Sequence, residues 1–407
     1  MHRLLLVRAP RHWWSPRLRP FWIRLLAPAR RLWQRWQLKL HRVEVRGLEH
    51  LRQAREMGHG VLITPNHVSY ADPFVLLEAS DQARLPFYFM TAWQVFGAAD
   101  PLRRLLLRQH GCFSVNREGA DFRAFRQAVT ILRGRPNPLV IFPEGQIYHL
   151  EDRITPFYDG AARAALAAAR GPRRIVCLPA AISYRHIGDA GPQQARLLDR
   201  LERAFRWRPA STWTMEKRVE RLAGAAVALK ELEYLGAARS GPLSERIDAL
   251  IDDILGRIEW EYGSEATAEA VPQRVQALWQ QAVGRLTRLA AEDPRRRPCQ
   301  DDLDDLFAAL QVFCYGTAGQ LSEILDHLEE DILGAPVAAP RAPRAAVLTF
   351  GRPVVVDRGG AGREAATALT RVLEERVQAL LDGTADRGPA IRQEACFSNA
   401  RASAQTS

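Results

Sequence analysis

Four short apolar runs, each ending at a turn-forming or polar residue, constrain the fold of this chain most. They are Gly60-Val61-Leu62-Ile63-Thr64-Pro65, Gly111-Cys112-Phe113-Ser114-Val115-Asn116, Leu139-Val140-Ile141-Phe142 and Ile175-Val176-Cys177-Leu178-Pro179-Ala180-Ala181-Ile182. Runs this short and this apolar read as buried strands. Helical patterns lie between them, over Pro73–Ala79, Trp93–Arg108, Asp121–Leu132 and Ala161–Arg170. Strands alternating with helices imply an α/β fold, a central sheet flanked by helices.

The polar residues at the strand ends carry the chemistry. The first run passes into Asn66-His67-Val68-Ser69-Tyr70-Ala71-Asp72, with histidine and aspartate five residues apart. A neutral imidazole can take a proton from an alcohol near pH 7, and a carboxylate can fix its tautomer and stabilise the imidazolium. The spacing alone also fits a solvated loop pair or a helix cap. The second run ends in Arg117, a bidentate donor suited to phosphate or a surface cation pairing with Glu118 or Asp121. The third leads into Pro143-Glu144-Gly145, a carboxylate and a glycine after a buried strand.

Taken in order, N-H-x4-D at 66–72, G-x-x-F-x-x-R from Gly111, F-P-E-G at 142–145 and the proline-bearing strand at 175–182 resemble the glycerolipid acyltransferases of the lysophosphatidate acyltransferase type. The resemblance covers 43 to about 190 and a stretch near the C-terminus. It implies transfer of a fatty acyl chain from acyl-CoA or acyl carrier protein to a lysophospholipid hydroxyl, foremost 1-acylglycerol-3-phosphate, in phospholipid biosynthesis. On that reading His67 is the general base and Asp72 orients it. Arg117 binds the acceptor phosphate, while Glu144 and Gly145 shape the acceptor site. No cofactor beyond the donor is expected. One departure bears on the acceptor. Gln146-Ile147-Tyr148 stands where the family usually has Thr-Arg-Ser, so either Arg153 compensates or the acceptor differs, as with glycerol 3-phosphate or a non-phosphate lysolipid.

The net charge of +11 sits in residues 1–42, which hold ten arginines, Lys39 and no acid. Five of the ten tryptophans, Trp13, Trp14, Trp22, Trp33 and Trp36, lie there too. From Pro20 to Leu40 apolar residues recur at helical spacing, with Pro28 as an expected break or kink. Arginine with interfacial tryptophan suits an amphipathic arm on an anionic bilayer surface. A nucleic-acid-binding arm or an organellar transit peptide are the other readings, the latter weakened by the single serine, Ser15. No stretch is apolar enough to span a bilayer, and Leu4-Leu5-Leu6-Val7 is too short for a signal-peptide core. The expected location is therefore the cytoplasmic face of a membrane, peripheral or monotopic.

Five cysteines without C-x-x-C spacing exclude a zinc finger or disulfide scaffold. His149 close to the His67 motif lacks metal-type spacing, so no metal is expected. The expected organisation is a 1–42 membrane-interfacial arm, an acyltransferase α/β domain over 43–189, and a helical insertion with a Pro/Ala linker over 190–344. A closing strand and helix over 345–383 and a disordered tail over 384–407 complete it. The acidic stretches Asp301–Asp305 and Glu329–Asp331 read as solvated helix faces. A non-catalytic lipid-binding scaffold is the reading from a different class; His67, Asp72 and Glu144, all present, argue against it.

Overall fold

The computed structural model describes residues 12–117, 121–264, 270–289, 293–317, 320–360 and 362–385. Its elements run α1 (Pro20–Gln37), β1 (Leu40–Arg46), α2 (Leu48–Glu56), β2 (Gly60–Pro65), α3 (Asp72–Ala83), β3 (Tyr88–Ala92), α4 (Trp93–Ala98), α5 (Pro101–Gln109), β4 (Cys112–Val115), α6 (Phe122–Gly134), β5 (Leu139–Val140), α7 (Gly160–Ala169) and β6 (Ile175–His186). Helices α8 (Gly191–Ala204), α9 (Met215–Leu235), α10 (Leu243–Tyr262), α11 (Val271–Arg288), α12 (Arg296–Thr317) and α13 (Leu321–Leu333) follow. The chain returns through β7 (Arg344–Phe350), β8 (Val354–Val355) and α14 (Gly362–Ala385).

One mixed sheet has the order β1-β7-β6-β2-β5-β3-β4, with β8 also on β6. Pairing is parallel except where β7 and β8 run antiparallel to β6. Alternation along β2 divides the core between the two faces of the sheet. Val61 and Ile63 pack with Val75 and Leu76 of α3, whereas Leu62 packs with Ile131 and Leu132 of α6 and Ala165 of α7. The alanines of α7 leave little side-chain bulk between helix and sheet, so its backbone can lie close to the strands.

The described residues form two compact units. One runs to Gly188 and resumes at Ala342; the other is Asp189–Arg341. The second unit is helical, and its core includes Ile247, Leu250, Ile254, Leu278 and Leu306. Its interior also holds ion pairs. Arg218 meets Glu202, Arg246 meets Glu231 and Arg274 meets Glu259, each glutamate at most 5 % exposed.

Several local expectations change. The helical stretch 93–108 is two helices: Asp100 caps α5 by accepting from Arg103 N, and Pro101 opens it. The closing strand expected within 345–383 breaks at Gly351-Arg352-Pro353, and both halves pair with β6. Helix α1 runs through Pro28 unbroken. Pro28 and Arg24 are both exposed, so solvent can serve the carbonyl that proline leaves without a donor. The acidic stretches are not simply solvated. Asp302 is buried and accepts from Tyr262, Asp305 accepts from Tyr234 and Asp331 from Tyr315. The expected tail lies outside the described residues from 386 onward, as do residues 1–11 of the arm. From Trp14 the arm is docked: Trp14 N donates to Ser114 Oγ, Ser114 N to Trp14 O, and the Trp14 ring stacks on Phe96 at 5.2 Å.

Candidate active site

The site lies beyond the C-terminal ends of the parallel strands β2 and β5, where an open α/β sheet leaves a crevice between loops. Strand β2 stops at Pro65, and Asn66 bridges to β6. Its amide nitrogen donates to Ile182 O at 3.0 Å and its amide oxygen accepts from Ile182 N at 2.7 Å. This fully buried clamp sets where the next residue, His67, leaves the sheet.

Asp72 is the first residue of α3, and its side chain turns back over the loop before it. Oδ2 accepts from Val68 N at 2.7 Å and Ser69 N at 2.9 Å, and lies 2.8 Å from His67 Nδ1. Oδ1 accepts from the Tyr184 hydroxyl at 2.6 Å. The carboxylate is fully buried, and four donors hold it. A carboxylate so satisfied favours the tautomer with the proton on Nδ1, which leaves Nε2 as the basic nitrogen. Among the described residues Nε2 has no hydrogen-bond partner, and the imidazole keeps 16 % exposure. The ring stacks on Phe142 with centroids 4.0 Å apart. That contact limits rotation about the side chain.

Glu144 supports the same loop from the turn that follows β5. Its Oε1 accepts from His67 N at 2.7 Å; its Oε2 accepts from Thr155 N at 3.0 Å and Thr155 Oγ1 at 2.5 Å. Burial pushes its carboxyl up to about 7, against the pull of these donors. Glu144 thus touches the backbone of His67 and not its ring. Gly145 has φ +73°, and a Cβ there would lie 2.6 Å from the Tyr158 ring, so only glycine fits without displacement. The Arg117 guanidinium donates to Gly145 O. Arginine, glycine and glutamate are therefore on one rim. Of the alternatives for Arg117, Asp121 is otherwise engaged: it caps α6 by accepting from Arg123 N and Ala124 N. Glu118 lies outside the described residues.

The structure adds three groups with no motif signal. Tyr184 comes from β6, and burial beside Asp72 holds its hydroxyl well above the ordinary tyrosine range, so it donates. Arg344, at the start of β7, lies over the Tyr184 ring at 4.5 Å and donates to Ser69 Oγ at 3.3 Å. Thr155 holds the far side of Glu144. These contacts join positions 11 to 275 residues apart, beyond any local spacing rule. Arg153 is exposed and paired with Asp152. No group of three or more His, Cys, Asp or Glu among the described residues is arranged to hold a metal.

An imidazole held by a buried carboxylate, with its other ring nitrogen open, is an arrangement able to take a proton from a hydroxyl group. Residues 42–183 match the family model described as Acyltransferase, so this stretch is an acyltransferase domain of the glycerolipid acyltransferase family, and the chain is an acyltransferase. No curated protein matches the chain at a significant level.

Proposed function

We propose that the chain moves a fatty acyl group from a thioester donor, acyl-CoA or acyl carrier protein, to a lysophospholipid hydroxyl, with 1-acylglycerol-3-phosphate as acceptor, in phospholipid biosynthesis. The observation that carries this is the 2.8 Å contact between His67 Nδ1 and Asp72 Oδ2 with Nε2 open. Nε2 takes the acceptor proton as the oxygen attacks the thioester carbonyl. The tetrahedral intermediate then expels the thiolate, and the imidazolium returns its proton to that sulfur. A thioester is already activated, so no acyl-enzyme is required. Asp72 stabilises the imidazolium, Tyr184 fixes Asp72, and Glu144 holds the backbone of His67. Arg117, drawn to Gly145 O, offers the acceptor phosphate a guanidinium on the same rim. Ile147 at the usual arginine position, with Arg153 turned to Asp152, favours a second reading in which the acceptor is glycerol 3-phosphate or a lysolipid without phosphate.

Helix α1 supports placement on a membrane. Phe21, Leu25, Leu32 and Trp36 share one face and are 55 to 80 % exposed, while the opposite face sends Ile23, Ala27, Arg30 and Gln34 toward the protein. A helix docked partly through polar groups, with its aromatic face outward, suits an interfacial position. No helix among the described residues is long and apolar enough to cross a membrane.

The test is free-thiol release from long-chain acyl-CoA and acyl-carrier donors across a panel of lysolipids, for wild type and His67→Ala. The expected result is acceptor-dependent release that falls at least 10³-fold in the variant, at the scale of a lost general base. Release that survives His67→Ala would overturn the base assignment. Equal release with phosphate-free acceptors would overturn the proposed acceptor.

A further inference from the structure

A cavity of about 470 Å³ opens between α1 and the C-terminal end of α3, lined by Ala27, Ser80, Asp81 and three arginines, Arg24, Arg31 and Arg84. It is not the reaction centre. Asp72 begins α3 and the cavity lies at its last turn, about 12 Å away along the helix. We propose that this cavity is a second phosphate-binding site, which takes the headgroup phosphate of an anionic lipid.

The charges are unbalanced toward an anion. Arg31 pairs with Glu78 and Asp81, and Arg30, behind the cavity wall, pairs with Asp81. Four guanidiniums (Arg24, Arg30, Arg31, Arg84) against two carboxylates (Glu78, Asp81) leave a charge of two positive, the complement of a phosphate monoester dianion. Among the described residues the side chains of Arg24 and Arg84 have no hydrogen-bond or ion-pair partner. Arg30 is 8 % exposed, and its Nε and Nη1 are buried without acceptors. A buried cation with unmet donors behind a wall bearing two unpaired arginines raises the affinity of the cavity for oxyanions.

Backbone conformation adds a separate observation. Arg84 follows α3 with φ +52°, in the left-handed region where glycine or asparagine is the usual choice. An arginine there carries a conformational cost, consistent with a role for its side chain. The volume falls within the range of small-molecule sites. The lipid source, as opposed to free phosphate, rests on the proposed membrane seating. Arg24 sits on α1 between the exposed Phe21 and Leu25, so a headgroup can reach the cavity while its acyl chains stay beside that apolar face.

The test is calorimetric titration of the full chain, without acyl donor, with soluble dihexanoylphosphatidate, dihexanoylglycerol and inorganic phosphate. Variants are Arg24→Gln/Arg84→Gln, Arg24→Gln alone, Arg117→Gln and Arg35→Gln, the last on an exposed position outside the cavity. Melting temperatures confirm folding, and the single variant leaves the end of α3 intact. Two classes of phosphatidate site are expected, with no binding of the phosphate-free lipid. The double variant should weaken one class at least tenfold, and Arg117→Gln the other. Superimposable titrations for wild type and double variant, or an equal loss in Arg35→Gln, would overturn the proposal and leave the acceptor reading intact. Loss of all binding in Arg117→Gln would do the same. Loss of all binding in the double variant would support the cavity and overturn Arg117 as the acceptor site. Inorganic phosphate binding as tightly as phosphatidate would overturn the lipid source.

Discussion

At the scale of single residues, the surroundings of Glu144 pull in opposite directions. Three donors favour its ionised form, yet it is 3 % exposed, and burial carries its carboxyl to about 7 from an ordinary value of 4.5. Between those values the folded chain holds a proton that the unfolded chain has lost. Stability therefore falls as pH rises through that window and is flat on either side. A shift of this size corresponds to roughly 3 kcal/mol. Glu144→Gln removes the titration while keeping the shape. Urea unfolding at pH 5 and pH 8 should show the wild type losing about that much stability relative to the variant. Parallel pH profiles would show that Glu144 titrates normally. The sequence pointed to Glu144 through F-P-E-G, as it pointed to His67 and Asp72 through their spacing. Thr155, Tyr184 and Arg344, which hold those residues, left no trace in any motif, because sheet order and not chain order brings them there.

Elements were legible in proportion to how strongly their pattern depends on local sequence. Strands β2 and β4 stand within a residue of their apolar runs and β6 starts with its run but extends four residues past it, because burial on both faces leaves an uninterrupted signal that ends where Arg185 and His186 become exposed. Strand β5 shrinks to Leu139–Val140: Ile141 still donates its N–H to Ile63 O, but the chain then leaves the sheet at Phe142, whose ring stacks on His67. The missed break between α4 and α5 lies at Asp100-Pro101, a cap and first-turn proline that open α5 after the short α4, and the leucine–arginine pattern belongs to α5 alone. Helix α1 shows the opposite error. Pro28 looked like an interruption, yet lies on the exposed side where its missing donor costs least. The apolar face of this helix has a measurable consequence. Leu32→Ser/Trp36→Ser leaves the docked side untouched, so the melting temperature should stay within about 2 °C, as expected of surface substitutions. Co-sedimentation with neutral phosphatidylcholine vesicles should fall at least tenfold, from loss of two exposed apolar groups that the bilayer would cover. Undiminished sedimentation would remove α1 from the membrane contact.

The chain as a whole poses a problem of closure. Strand β7 completes the sheet between β1 and β6, yet the chain reaches it only after Asp189–Arg341. The two ends of that segment are nevertheless held side by side. His186 and Arg344 are register partners on antiparallel strands, and Ile187 N donates to Pro343 O at 2.8 Å. That is the geometry of a hairpin, with a folded unit in place of its turn. Replacing residues 189–341 with a short Asn-Gly-containing turn should therefore let β6 and β7 pair in the same register. A flexible segment of that length costs at most about 3 kcal/mol more to close than a four-residue turn, so the excised chain gives up no closure advantage. It should show the circular dichroism of a mixed α/β protein and melt in one cooperative transition. A chain without a cooperative melt would mean that the sheet depends on the helical unit for its stability. Thiol release measured on the folded excised protein would then separate two roles for that unit. Retained turnover assigns it to something other than the chemistry at His67, whereas lost turnover with an intact melt makes it part of how substrate reaches that site.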